Sequence, residues 1–402
     1  MADLGIVRNL DKSNKFLFLD GYGVNLRVDD GKLVLRDGKG LERAFFPKRF
    51  PYDSVIVYGT RGSITFEAIR WINKHNSQIS IMNWDGRLLT SIQPPEAKQI
   101  QVKFRQYEAY NSPERVDIAR KIIGAKIRRT KDLLLWLAER YPEIDTDIER
   151  EAVRLPEARN VPEIMNVEGR VAQIYWEQFT KIVDSKLEFI TRKYYNTPFG
   201  AVDPVNALLN YGYALLETQC REAINVVGLD THVGFMHDVT TGKEPLVYDM
   251  QEPFRWAVDM AIINSLNGNL FTKKDFIRTE NYNIKLKACG AKKLTEEVEK
   301  ALNMKISHEG MMRTLSYMIL LKTRDLSHYL QGKKKKLDFN IKLRLERDDS
   351  YEIRQKIIKF PYSKAKKIGM SKGTLWYLKQ NAVSDKPFKV YKSVKERFEN
   401  IS

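Results

Sequence analysis

The chain has 402 residues, 43% of them hydrophobic, which is enough for two or three domains with buried cores. No run approaches the roughly 20 apolar residues that cross a bilayer, and the opening MADLGIVRNLDKSNK lacks an apolar signal region, so a cytoplasmic protein without a membrane segment is expected. A formal charge of +17 points to a polyanionic partner, because each Lys or Arg that neutralises a phosphate releases a counterion.

Residues 1–95 read as a small β-rich domain. KFLFL, GVNLRV, KLVLR and SVIVYG are short β-prone runs separated by Gly, Asp or Pro. One helix interrupts them, ITFEAIRWINKH, with Ile64, Ala68, Ile69 and Ile72 on one side. ISIMNWDGRLLTSI follows, with Trp84-Asp85-Gly86 as a hairpin turn. After Pro94-Pro95 the period becomes helical, and residues 96–331 read as an all-α domain. Ser112-Pro113-Glu114 and Asp203-Pro204 are helix starts, each a capping side chain followed by proline. RVDIARKIIGAKI and PVNALLNYGYALLETQCREAINVV carry apolar residues at spacings of three and four. Cys220 and Cys289 have no metal-ligand spacing around them and read as two buried thiols.

The charge is unevenly distributed. Residues 331–402 hold 20 Lys and Arg against 8 Asp and Glu, a net of +12. Residues 332–350, with the run Lys333 to Lys336, read as a basic linker, either simply solvated or touching a DNA backbone. Residues 351–402 fit a helix-turn-helix, which the tail's charge favours over an ordinary helical hairpin packed on the body. Ala365, Ile368, Met370, Leu375 and Leu378 make its core, Gly369 its turn, and Ser371 caps the second helix. Lys372, Thr374, Tyr377, Lys379 and Gln380 then fall near an exposed side, suited to phosphates and base edges of double-stranded DNA. Trp376 reads as a core anchor ahead of a base-stacking side chain. The expected fold class is therefore α+β and multidomain: β-rich N-terminal domain, all-α middle, C-terminal helix-turn-helix.

Candidate chemistry lies in the helical middle. Glu168 sits in NVEGRVAQIYW, on a helix spanning about 161–180, and His237 ends the compact stretch GLDTHVGFMHD. Glu252 lies in PLVYDMQEPFRWAVD, three residues after Asp249. A helix beginning near Asp249 would put both carboxylates on one face. Arg170 and Arg255 flank these residues as phosphate contacts or salt-bridge partners. Lys322, Arg324 and Tyr248 are weaker DNA-contact candidates. A lone Glu on a helix usually faces solvent and a lone His usually makes a structural hydrogen bond, so only the combination carries information.

That combination, E-G-R-x-A-x-x-Y-W, then G-L-D-x-x-x-G-F-x-H, then Y-D-x-x-E-P-F-R, closely resembles the integrase of CRISPR adaptation over roughly four-fifths of the chain. VYGTRGSITFEAIRWINKHN, NWDGRLLT, DFIRTENYNIKL and the basic tail look like the casposase branch of that superfamily. The resemblance implies that Glu168, His237 and Glu252 are catalytic and hold a divalent metal, Mg²⁺ or Mn²⁺, with Asp249 as an assisting acidic ligand. Where this chain has Glu252, some relatives use Asp. The resemblance also implies a homodimer, joined through the β-rich domain, that links 3′-hydroxyl ends of a mobile element to target DNA. Two alternatives stand beside it: insertion of spacers into a repeat array, and a non-catalytic DNA-binding protein.

Overall fold

The computed structural model describes residues 15–83, 86–94, 100–192, 200–280, 282–341, 357–358 and 360–383. Contacts divide the chain into two compact units, Met1–Leu343 and Arg344–Ser402.

The first unit opens with a six-stranded sheet. Its strands are β1 (Phe16–Asp29), β2 (Lys32–Arg36), β3 (Glu42–Phe45), β4 (Ser54–Ile64), β5 (Gln78–Met82) and β6 (Leu88–Ile92), in the order β3-β2-β1-β4-β5-β6. The sheet is mixed. β1, β4 and β5 run parallel, with helix α1 (Phe66–Lys74) crossing between β4 and β5, and hairpins close both edges. KFLFL and GVNLRV, two strands in the sequence reading, are one strand here. Gly21 and Gly23 take positive φ and let β1 bulge past β4 without ending. Close approach fixes Gly59 as well, since a Cβ there would stand 2.5 Å from the Gly21 carbonyl oxygen. Leu17, Leu19, Val24, Leu26, Leu33, Val55 and Ile79 pack with Ala68, Trp71 and Ile72 of α1 into one core. The turn residues Trp84 and Asp85 lie outside the described residues, but β5 and β6 pair antiparallel, and Gly86 beside them takes a positive φ.

Helices then dominate: α2 (Ile100–Tyr110), α3 (Glu114–Ala138), α4 (Glu149–Ala152), α5 (Val161–Ile182), α6 (Pro204–Val227), α7 (Pro245–Gln251), α8 (Arg255–Asn267), α9 (Ala288–Leu302) and α10 (Leu315–Leu330). The cap read at Asp203 is present, its side chain accepting from the Asn206 N–H at 2.8 Å. α6 is buried along most of its length, with α7, α8, α9 and α10 packed around it. Gly212 allows α8 to approach, because a Cβ there would meet Val258 Cγ1 at 2.6 Å. The middle is not purely helical. Two ribbons, β7 (Phe276–Arg278) with β8 (Ile284–Leu286) and β9 (Lys305–His308) with β10 (Met311–Thr314), interrupt it. Strands of three or four residues are too short to register as a period of two.

Sheet and helices share polar contacts within this unit. Glu299 on α9 accepts from the Phe16 N–H at 2.8 Å, and the Tyr58 hydroxyl donates to the Leu286 carbonyl at 2.5 Å. Cys220 is buried, and burial pushes its thiol up, whereas Cys289 is exposed rather than buried as expected. No helix among the described residues is long and apolar enough to cross a membrane.

In the second unit a 3₁₀ segment, Tyr362–Ile368, meets helix α11 (Lys372–Val383) across Gly369, whose φ of 64° is left-handed. The Thr374 N–H donates to Ser371 Oγ at 3.0 Å, so Ser371 caps α11 as the sequence suggests. Ile357, Ala365, Met370, Leu375 and Ala382 form a small core. Trp376 corrects the sequence reading: it is 55% exposed and anchors nothing. Lys379 is also turned inward, donating to the Ile358 carbonyl at 2.8 Å with its ammonium over Tyr362. Lys372, Thr374, Tyr377 and Gln380 remain exposed.

Candidate active site

Three local structures present the candidate residues. Glu168 lies two turns into α5, which Asn160 caps through the Glu163 N–H at 2.9 Å. His237 lies in the loop after α6, whose end Gly228 closes with φ 76°. That loop is pinned on several sides. The Gln106 amide donates to the carbonyls of Asp230 and Val233, Tyr107 bonds Asp230 Oδ2 at 2.6 Å, and Arg115 Nε donates to the Phe235 carbonyl. Glu252 begins the 3₁₀ turn Glu252–Phe254 between α7 and α8. Glu168, His237 and Glu252 all line one cleft of about 1440 Å³.

Asp249, read from the sequence as an assisting ligand, lies beside His237. The helix starts at Pro245 rather than near Asp249, and the Asp249 carboxylate is fully buried against the His237 loop. Its Oδ2 accepts from the N–H groups of Phe235 at 2.5 Å and Met236 at 2.9 Å. Its Oδ1 takes the His237 N–H at 3.1 Å and the His237 ring Nδ1 at 2.7 Å. These four contacts match the carboxylate's usual acceptor capacity. Through them Asp249 orients the imidazole and leaves Nε2 for the cleft. Gly234 makes the contact possible, since a Cβ there would meet Asp249 Oδ2 at 2.8 Å. Burial disfavours the charged His237 ring, but the Asp249 hydrogen bond together with the charges of Asp249 and Glu252 outweighs it and raises the pKa above the usual histidine value.

The charged centre of the cleft holds a residue that the sequence reading placed only in a helical repeat. Lys126 on α3 donates to Glu168 Oε1, and its ammonium stands 2.6 Å from Glu252 Oε2. The second contact lacks hydrogen-bond alignment, so Glu252 Oε2 is buried with an ionic neighbour but no aligned donor. Glu252 is only 3% exposed and Glu168 22%. Burial raises the Glu252 pKa, but Arg255 at 3.4 Å and Lys126 reverse the effect and bring it to about 2. Burial likewise works against charge on Lys126, and Glu252 and Glu168 outweigh it and raise its pKa. Among the described residues no three His, Cys, Asp or Glu side chains stand close enough together to hold a metal as they are. Lys126 stands between two of the expected three. Nothing in IARKIIGAKIRR distinguishes it from a surface lysine on an amphipathic helix.

Beside this centre the cleft carries cationic and aromatic groups. Arg255 and Arg192 both lie over the Tyr213 ring, at 4.6 and 5.4 Å. The hydroxyls of Tyr213 and Tyr175 donate to the two oxygens of buried Asp259, at 2.5 and 2.9 Å. Arg170 is not part of the lining; it bonds Asn166 at 3.0 Å and faces Glu151 at 3.4 Å. Lys322 is buried and donates to the Asp338 carbonyl, so it serves the fold, while Arg324 is exposed. Tyr248 packs its ring edge-on to His237 at 6.0 Å.

A protein-family model described as "CRISPR associated protein Cas1" matches residues 17–300. The chain belongs to the Cas1 family. Its similarity to a solved casposase places it on the casposase branch. That structure, a casposase bound to integration product, is 46% identical with a TM-score of 0.81, covering 86% of this chain and 99% of the other. The CRISPR-associated endonuclease Cas1 1 of Archaeoglobus fulgidus is 24% identical over 339 residues, covering 79% of this chain and 97% of its own length. A Cas1 protein from Thermotoga maritima, 21% identical, shares the fold with a TM-score of 0.67 over 79% of this chain and 97% of its own. The sheet followed by the helical part is the architecture expected of a Cas1-family protein.

Proposed function

We propose that the chain is a divalent-metal-dependent DNA integrase that joins 3′-hydroxyl ends of a mobile element to target DNA. The observation that carries this reading is a pair of carboxylates from separate elements, Glu168 and Glu252, bridged by one cation in a cleft with an oriented imidazole. It is supported by 46% identity to a casposase bound to integration product.

The donor set fits a hard cation. Two carboxylates and one imidazole nitrogen suit Mg²⁺ or Mn²⁺, and the buried Glu252 Oε2 lacks an aligned donor. Glu168, Glu252 and His237 would hold the ion, which when bound polarises the phosphoryl oxygen and activates the attacking hydroxyl. The chain's own groups position the reactants. Asp249 holds the His237 tautomer, and Arg255 and Arg192 offer positive charge to phosphate along the Tyr213 wall. In-line phosphoryl transfer asks little covalent work of the protein, so placing the hydroxyl and phosphate supplies most of the rate. With water in place of the hydroxyl, the same cleft cuts DNA, so nuclease activity accompanies joining.

In this reading the basic residues 351–402 recognise the element's ends, with Lys372, Thr374, Tyr377 and Gln380 on the DNA side, and the protein works as a homodimer. The test is an integration assay with oligonucleotide ends and a plasmid target in Mg²⁺ or Mn²⁺. Joining should require a 3′-hydroxyl and stop with a 3′-deoxy end; joining that ignores the 3′ group refutes the reaction. The curated relatives named CRISPR-associated endonucleases favour a second reading, spacer insertion into a repeat array. Terminal inverted repeats and repeat-array DNA offered in competition separate the two.

A further inference from the structure

We propose that Lys126 is a built-in counter-cation, whose ammonium holds Glu168 and Glu252 together in the metal-free protein and is displaced when a divalent ion binds. This deepens the metal-site reading and rests on it. Three observations lead there. First, one ammonium serves two carboxylates from different elements, α5 and the turn before α8, which is the position a bridging cation would take. Second, the flanking Ala125 and Ile127 of α3 are buried, so the helix is held in place and the lysine side chain alone can move. Third, the two contacts are unequal. Lys126 hydrogen-bonds the partly exposed Glu168, whereas its contact with buried Glu252 Oε2, at 2.6 Å, is less well aligned and chiefly ionic. An oxygen that gains charge compensation without a directed bond loses little when another cation takes over.

An uncompensated carboxylate as buried as Glu252 would be costly to fold, and Arg255 reaches only its other oxygen, at 3.4 Å. Lys126 therefore lets the site assemble before metal arrives. An ammonium and a divalent ion repel one another at such short range, so the two cannot both stand between the carboxylates. The consequence is a trade: metal-free stability at the expense of metal affinity.

Lys126→Met keeps the stem and removes the charge, so it separates the two effects. In EDTA its thermal unfolding should fall several degrees below wild type, while its Mn²⁺ affinity rises about tenfold or more, as expected when a competing charge is removed. The stability gap should then narrow as Mn²⁺ saturates. A second measurement needs only the wild-type chain: amine acetylation read by mass spectrometry should modify Lys126 more in Mn²⁺ than in EDTA. Weaker Mn²⁺ binding by Lys126→Met, or equal labelling of Lys126 with and without Mn²⁺, overturns the counter-cation role alone. Absence of any Mn²⁺ binding by wild type overturns the metal-site reading and this proposal together.

Discussion

Asp249→Asn tests the orienting role of this carboxylate in the metal-free protein, where its bonds to the His237 loop can be lost without any metal present. The wild-type side chain accepts four contacts, from three successive backbone N–H groups and one ring nitrogen. Asparagine replaces one oxygen by an NH₂ that faces donors, and two of the four contacts are lost. At about 1.5–3 kcal/mol for a bond to a charged acceptor, a loss near 3 kcal/mol is the conservative figure. The unit spanning Met1–Leu343 unfolds with an entropy of about 0.7 kcal/mol/K at typical per-residue values. The midpoint in EDTA should therefore drop by about 4 °C. Metal affinity should fall roughly 10- to 100-fold, because the imidazole loses its anchor. The assay is thermal unfolding in EDTA followed by Mn²⁺ titration. A carboxylate that only waited to bind metal would have no such contacts to lose, and its replacement would leave the midpoint in EDTA unchanged. An unchanged or raised midpoint in EDTA would refute the orienting role.

Other outcomes follow from the same geometry. Glu252 titrates at about 2 in the folded chain against 4.5 as a free group. Because its pKa is depressed, the stability it contributes is complete above 4.5 and is lost as pH falls toward 2. That contribution is on the order of 3 kcal/mol, so metal-free wild type should lose more stability than Glu252→Gln between pH 4.5 and 2, as acid unfolding would read. Parallel acid-unfolding curves would contradict the charged, ion-paired Glu252. Deleting residues 351–402 should weaken discrimination among DNA ends more than generic joining, and competition between a cognate and a scrambled end measures this. Trp376→Ala, at an exposed position, should cost under about 0.5 kcal/mol of stability yet reduce DNA binding, as thermal unfolding and a mobility-shift titration would show.

Long, regular elements were legible in the sequence. The run PVNALLNYGYALLETQCREAINVV coincides with α6 residue for residue, because proline, capping aspartate and terminal glycine mark both of its ends. Local chemistry at Gly369 and Ser371 was equally readable. What depends on tertiary approach was not. Gly21 and Gly23 read as a break, since a bulge that keeps pairing with β4 needs the partner strand to be seen. Asp249 and Glu252 look equivalent three residues apart, yet the first is bonded by the His237 loop and the second is paired with Lys126 and Arg255. Lys126 was invisible as a site residue for a related reason: its partners lie 42 and 126 positions away, and no periodicity reports such a meeting. Glu168, His237 and Glu252 stood out only through the three motifs around them, whose Gly, Asp and Pro residues build the pinned loop and the turn.

The most direct measurement pairs Mn²⁺ binding with strand transfer in Glu168→Ala, His237→Ala and Glu252→Ala. Each variant should remain folded, lose Mn²⁺ affinity and fail to join a 3′-hydroxyl end to a plasmid. Joining at the wild-type rate by any one of them would remove that residue from the centre, and unimpaired joining by all three would leave the cleft without its proposed chemistry.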